Sequence, residues 1–166
     1  MNLYINPNPS LEEAAIVGEA IRLEETRGLE AIGCSPADSC LEGIRESAYV
    51  GTINTPDDVP IALVGIVDYQ EDENTGLVWS MNTGDVNKYP LSFTRVMIQL
   101  MEEYGGLYDR LVSLVLSDNI AHQRWQATLG MTFTGIEIPV PHSPLMYKVY
   151  EIVTAKGLNK IYYEQP

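Results

Sequence analysis

The segment from Ser117 to Met131 constrains the chain more than any other. The apolar run Leu111 to Leu116 before it reads as a buried strand. Ser117, Asp118 and Asn119 are all good helix N-caps, because their side-chain oxygens satisfy amides that a first turn leaves unpaired. Ala121, Trp125, Thr128 and Leu129 then fall on one helical face, and Gly130 suits a left-handed C-cap. A second strand starts at Met131.

The rest of the chain supplies the partners such a unit needs. Leu3 to Ile5 can form a first strand before the turn Asn6-Pro7-Asn8-Pro9. Ser10 and Glu13 form a capping box opening a helix with the stripe Leu11, Ala14, Ala15, Gly18 and Ile21. Ser35-Pro36 opens a second helix, with Ala37, Cys40, Leu41, Ile44 and Ala48 at spacings of three and four. The period then changes. Tyr49 to Asn54, Ile61 to Tyr69 and Gly76 to Asn82 are β-branched or aromatic runs separated by turn-rich segments, which predicts an antiparallel meander. Phe93, Val96, Met97, Leu100, Met101 and Tyr104 mark a third helix that ends at Gly105-Gly106, its methionines read as core filler. Met131 to Ile138 and Leu145 to Val153 are the last strands, joined by the Pro-containing loop Val140 to Pro144. The helical crossover between Gly76–Asn82 and Leu111–Leu116 predicts that those two strands are central and parallel.

At 166 residues, without a repeat or linker, the chain is expected to form one domain over 1–153 with a C-terminal extension over 154–166. Its net charge of −13 opposes attraction to nucleic acid or anionic lipid, so neither is an expected direct partner. No apolar run approaches the roughly 20 residues that span a bilayer, and the N-terminus shows no secretory pattern, so cytosolic folding is expected. Cys40 falls on an apolar helical position and reads as a buried reduced thiol. His122 and His142 lack metal-ligand spacing, and His122 reads as cap-proximal or solvated. Asp68, Glu71, Asp72 and Glu73 lack the spacing of a calcium loop and read as a solvated hairpin tip, so no metal site is expected.

The strand–Asn119–short helix–Gly130 arrangement, with the order β-α-α-β-β-β-α-β-α-β-β, resembles the GCN5-related N-acetyltransferase (GNAT) superfamily. That resemblance implies an α/β (α+β) acyl-CoA N-acyltransferase fold, a mixed twisted sheet of six to seven strands flanked by about four helices. It implies that acyl-coenzyme A lies where the fourth and fifth strands splay, here Gly76–Asn82 and Leu111–Leu116. If the coenzyme binds, Asn82, Thr83, Gly84, Asn119 and Trp125 are the residues that the resemblance places at it. Thr83-Gly84-Asp85 and Arg124-Trp125 with Leu129-Gly130 further resemble GNAT-like proteins of short-tailed bacteriophages, the internal virion protein A group.

The chain departs from the superfamily where chemistry is expected. The superfamily's phosphate cradle is Arg/Gln-x-x-Gly-x-Gly/Ala, whose small residues expose backbone amides at a helix N-terminus. Thr83 to Pro90 has one glycine there, places Asp85 where phosphates would sit, and loses an amide at Pro90. No carboxylate lies in Leu77 to Asn82 to act as a base, and Gln126 stands where the superfamily's proton-donating Tyr falls. No catalytic residue is assigned and no cofactor is expected. The expected function is that of a phage virion or morphogenesis protein acting through contacts with phage or host proteins, or a second copy, in the host cytoplasm or the virion. The alternative is an N-acetyltransferase using acetyl-CoA. Leu158, Ile161, Tyr162 and Tyr163, with two lysines, make the extension either a docking segment or a strap on the domain's own sheet.

Overall fold

The computed structural model describes residues 2–31 and 33–163. Seven strands form one sheet: β1 (Tyr4–Asn6), β2 (Tyr49–Asn54), β3 (Pro60–Tyr69), β4 (Asp72–Asn82), β5 (Arg110–Leu116), β6 (Thr132–Pro139) and β7 (Met146–Val153). Their order is β1-β2-β3-β4-β5-β7-β6. Every neighbouring pair is antiparallel except β4 with β5, the parallel pair the crossover predicts.

Among the described residues six α-helices accompany the sheet: α1 (Leu11–Glu19), α2 (Leu23–Ala31), α3 (Pro36–Glu46), α4 (Pro90–Gly105), α5 (Ile120–Thr128) and α6 (Ala155–Tyr163). A 3-10 turn covers Gly84–Lys88. The sequence predicts about four helices, and α2 and α6 make up the difference. α2, with the sequence LEETRGLEA, carries no apolar stripe and leaves Leu23 79% exposed, so no helical period announces it. Ile21 corrects the predicted stripe of α1: it lies outside the helix and bridges Thr83 as an extended residue. Leu11 is exposed, and Val17 fills the stripe with Ala14 and Gly18. Ala48 follows α3 and donates its amide to the Ile66 carbonyl at 3.0 Å, as a strand residue does.

Local chemistry sets the boundaries. Ser10 Oγ accepts from the Glu13 amide at 3.1 Å, and Glu13 Oε1 accepts from the Ser10 amide at 3.1 Å. The Glu13 carboxylate also accepts from Asn6, Thr52 and Asn54, which ties α1 to β1 and β2. Ser35 caps α3 with Pro36 in its first turn. Asn119 Oδ1 caps α5 by accepting from the His122 amide at 3.1 Å, and Gly130 adopts φ +87° after it. The face that α5 buries differs from the predicted one. Ala121 and Thr128 are exposed, whereas Gln126 is 3% exposed and donates to Ser113 Oγ at 3.0 Å. A buried amide is tolerated there because β5 offers it a hydroxyl.

The sheet separates two clusters. On one face Val78 joins Val115 and the α4 residues Phe93, Val96, Met97, Leu100, Met101 and Tyr104, all six of the predicted stripe. On the other, Ala14, Val17, Cys40 and Leu63 pack with Trp79 and Met81. The Trp79 indole lies against Gly43 of α3 and Gly65 of β3, and its Nε1 donates to Ser47 Oγ at 2.9 Å.

In the extension, Thr154 Oγ1 accepts from the Gly157 amide and caps the start of α6. Gly157 packs on the Asp109 carbonyl, Lys160 pairs with Asp109 at 2.8 Å, and Lys156 donates to the Leu107 carbonyl at 3.2 Å. These contacts hold α6 on the chain's own α4–β5 connection, as a strap would lie. Glu164 to Pro166 and the side chains of Tyr162 and Tyr163 lie outside the described residues.

Candidate functional site

Parallel pairing of β4 with β5 is confined to Thr75↔Arg110, Gly76↔Leu111 and Leu77↔Val112. Beyond it each strand follows its antiparallel partner: β4 stays with β3 as far as Asn82, and β5 with β7 as far as Leu116. The two therefore diverge. Asn82 accepts from the Arg22 amide at 2.9 Å and donates its own amide to Glu25 Oε2 at 2.7 Å, so its backbone groups face away from β3. Strand alternation points the N–H and C=O of Ser80 and Val78 the same way, into the opening.

Two cavities occupy this opening. The first, about 420 Å³, lies between the start of α4 and the start of α5 and includes Arg22, Asn82, Phe93, Asn119, His122 and Trp125 in its wall. The second, about 280 Å³, lies between the diverging strands and includes Ser80, Met97, Ser113, Gln126, Met131 and Tyr147. His122 and Trp125 belong to both. Trp125 is held by stacking on Phe93, with ring centroids 5.5 Å apart.

The polar inventory is unbalanced at this point. Arg22 Nε, Asn82 Oδ1 and Gln126 Oε1 are buried atoms without a hydrogen-bond partner, and all three residues line the cavities. Buried polar groups rarely stay unpaired, and a cleft where several converge is suited to a polar ligand. Burial pushes the His122 imidazole down to about 4, with the Arg22 charge adding to the effect, so the ring is neutral near pH 7. One of its ring nitrogens lies 3.0 Å from Gln126 Nε2. His122 is thus cap-proximal as expected, but it is half-buried in a cleft and not solvated. Burial also raises the Tyr147 phenol.

Of the residues assigned to the coenzyme by resemblance, the structure brings Asn82, Asn119 and Trp125 to the first cavity. Thr83 is turned into the sheet, where its hydroxyl donates to the Ile61 carbonyl at 2.9 Å. Gly84 begins the 3-10 turn and is not part of either wall. In this loop the amides of Asp85, Val86 and Tyr89 are engaged by Thr83 Oγ1, Thr83 O and Val86 O. Lys88 pairs with Asp85 at 2.9 Å. Amides bonded within a turn cannot also converge on an anion, so the loop is not built as a phosphate nest.

Sequence reasoning missed Arg22, Glu25, Ser113 and Tyr147. For Arg22 and Glu25 the reason lies in α2 and the residue before it: α2 crosses the mouth of the opening and bonds both sides. Glu25 holds Asn82 on β4, while Arg27 forms a two-pronged pair, 2.6 and 3.2 Å, with Asp118 beyond β5. Only a helix without an apolar stripe could be so exposed, and that is the kind a periodicity search passes over. Among the described residues, no group of three or more His, Cys, Asp or Glu could hold a metal, and no helix is long and apolar enough to cross a membrane.

No protein-family model and no curated protein matches the chain. Solved structures do. An acetyltransferase of the GNAT family from Bacillus anthracis aligns at TM-score 0.66 and 11% identity, over 92% of this chain and 95% of that one. A spermidine N-acetyltransferase chimera from Vibrio cholerae aligns at TM-score 0.69 and 10% identity, over 96% and 99%. A Salmonella typhimurium protein solved with its cofactor acetyl-CoA aligns at 0.66 and 13%, over 92% and 94%. The chain has the GNAT fold, an α+β architecture around a mixed seven-stranded sheet.

Proposed function

We propose that this chain binds an acyl-CoA thioester in the β4–β5 opening and passes the acyl group to an amine. The observation that carries the reading is the convergence of three unpartnered buried polar atoms on linked cavities in that opening. The pantetheine arm, with its two amides, suits such a cleft: Asn82 Oδ1 and Gln126 Oε1 accept, and the edge of β4 offers Ser80 and Val78. The diphosphate fits poorly, because Asp85 opposes it and the amides of Thr83, Asp85, Val86 and Tyr89 are engaged. Bound acyl-CoA supplies an activated carbonyl; a C–N bond forms as the C–S bond breaks, and the proton that the amine nitrogen loses ends on the departing thiolate, which leaves as the thiol. The chain's residues orient the thioester and exclude water. With no carboxylate on Leu77 to Asn82 and His122 held at about 4, neither β4 nor His122 supplies a base at neutral pH, so the amine is expected to arrive unprotonated.

Calorimetry with acetyl-CoA and with acetyl-pantetheine is the test. The two should bind within about threefold of each other, because the nucleotide half contributes little; Asp85→Gly should tighten only acetyl-CoA. Thiol release with primary amines should rise with pH up to the acceptor's own pKa. No binding of either thioester at millimolar concentration overturns the reading.

The engaged phosphate loop favours a second reading, a GNAT-like protein of the short-tailed-phage group that works through protein contacts in the host cytoplasm or the virion. Phe133 and Ile136 on the edge strand β6, 42% and 57% exposed, would then face phage or host proteins or a second copy. The same titration separates the two, since that reading requires no thioester affinity.

A further inference from the structure

The second cavity is distinctive in what it lacks. No Asp, Glu, Lys or Arg contributes to its wall. Its inner part is apolar, made by Met97 and Met101 of α4 together with Leu129 and Met131, all buried. Ser113, Gln126 and His122 form one patch, with Gln126 Nε2 at 3.0 Å from Ser113 Oγ and from the His122 ring, and Ser80 and Tyr147 add polar groups elsewhere in the wall. An ammonium group taken into this space would be desolvated without a carboxylate to meet it, which is strongly unfavourable. A two-carbon acetyl group would leave much of about 280 Å³ unfilled. Methionine side chains are unbranched and adapt to an inserted hydrocarbon.

We infer that the second cavity is an acyl-chain pocket, and that the preferred thioester carries a medium-length straight acyl chain in place of acetyl. This rests on the reading of the opening as a thioester cleft. His122 and Trp125 line both cavities, so a ligand that extends from the first into the second runs beside those rings. The chain buries its methylenes against Met97, Met101, Leu129 and Met131, while the polar head stays by Ser113 and Gln126.

The test is calorimetric titration of the full chain with acetyl-, butanoyl-, hexanoyl- and octanoyl-CoA. Each buried methylene contributes about 0.8 kcal/mol, which is about fourfold in Kd. The expected result is affinity rising roughly tenfold or more per two-carbon step to hexanoyl, then levelling when the pocket is full. Met97→Phe, narrowing the pocket, should shift the preferred length down by about two carbons; if that variant misfolds, the wild-type series still decides. Acetyl-CoA binding as tightly as the longer thioesters overturns the acyl-chain pocket and leaves the thioester cleft standing. Failure of every thioester to bind removes both.

Discussion

Gly65→Val should cost about 2–3 kcal/mol of stability and lower the melting temperature by roughly 4–12 degrees. A Cβ at Gly65 would lie 2.6 Å from the Trp79 ring, and one at Gly43 would lie 2.5 Å from it. The indole is therefore pinned between α3 and β3 by two residues that have no side chain. It cannot slide away without releasing the Ser47 hydroxyl that its Nε1–H holds at 2.9 Å. Overpacking a filled interior forces such groups off their rotamers, and here the strained group lies on β4, the strand that forms one wall of the cleft. Gly84→Ala is the control, since a Cβ there meets nothing within 4 Å. Chemical denaturation of both variants checks this; a loss below 1 kcal/mol for Gly65→Val contradicts it.

The second large effect is a pH dependence. His122 in the folded chain titrates at about 4, whereas an unfolded histidine titrates near 6.5. Between those values the unfolded chain binds the proton and the folded chain does not, so stability falls as pH drops from about 6.5 and the loss is complete below about 4. The full contribution is on the order of 3 kcal/mol. Arg22 repels the imidazolium, and Glu24 is the acidic residue in the wall of the same cavity. His122→Asn removes the titrating ring. The wild type minus variant difference in unfolding free energy, measured from pH 7.5 to 4, should therefore fall steadily below pH 6.5. A difference that stays level places the ring in solvent.

Much of the fold was legible because its signals are local and periodic. The capping box at Ser10 and Glu13, the Ser35-Pro36 start, the six-residue stripe of α4 and the Asn119 and Gly130 caps each act within a few residues. The opening was legible in outline, since a helical crossover fixes β4 and β5 as parallel neighbours. Its contents were less so. Gln126 occupies the position where the resemblance calls for Tyr, and only the structure shows that it is buried against Ser113 and His122. Arg22 and Glu25 reach the cleft from α2 and the turn before it, a segment that neither period marks. Thr83 carries the identity expected of a loop ligand but turns into the sheet, because the Ile61 carbonyl at the start of β3 takes its hydroxyl.

The proposed function puts a thioester in the β4–β5 opening. Its most direct test follows the two tryptophan indoles and the Gln126 side-chain amide by proton–nitrogen NMR during a titration with acetyl-CoA and hexanoyl-CoA. Trp125 and Gln126 line the cleft; Trp79 also borders the second cavity, but its indole N–H is bonded to Ser47 and the residue packs in the cluster on the other face of the sheet. Saturable shifts of the Trp125 indole and the Gln126 amide are expected, with the Trp79 indole N–H nearly still. An unchanged spectrum at millimolar thioester, or shifts confined to Phe133 and Ile136 of β6, would contradict it.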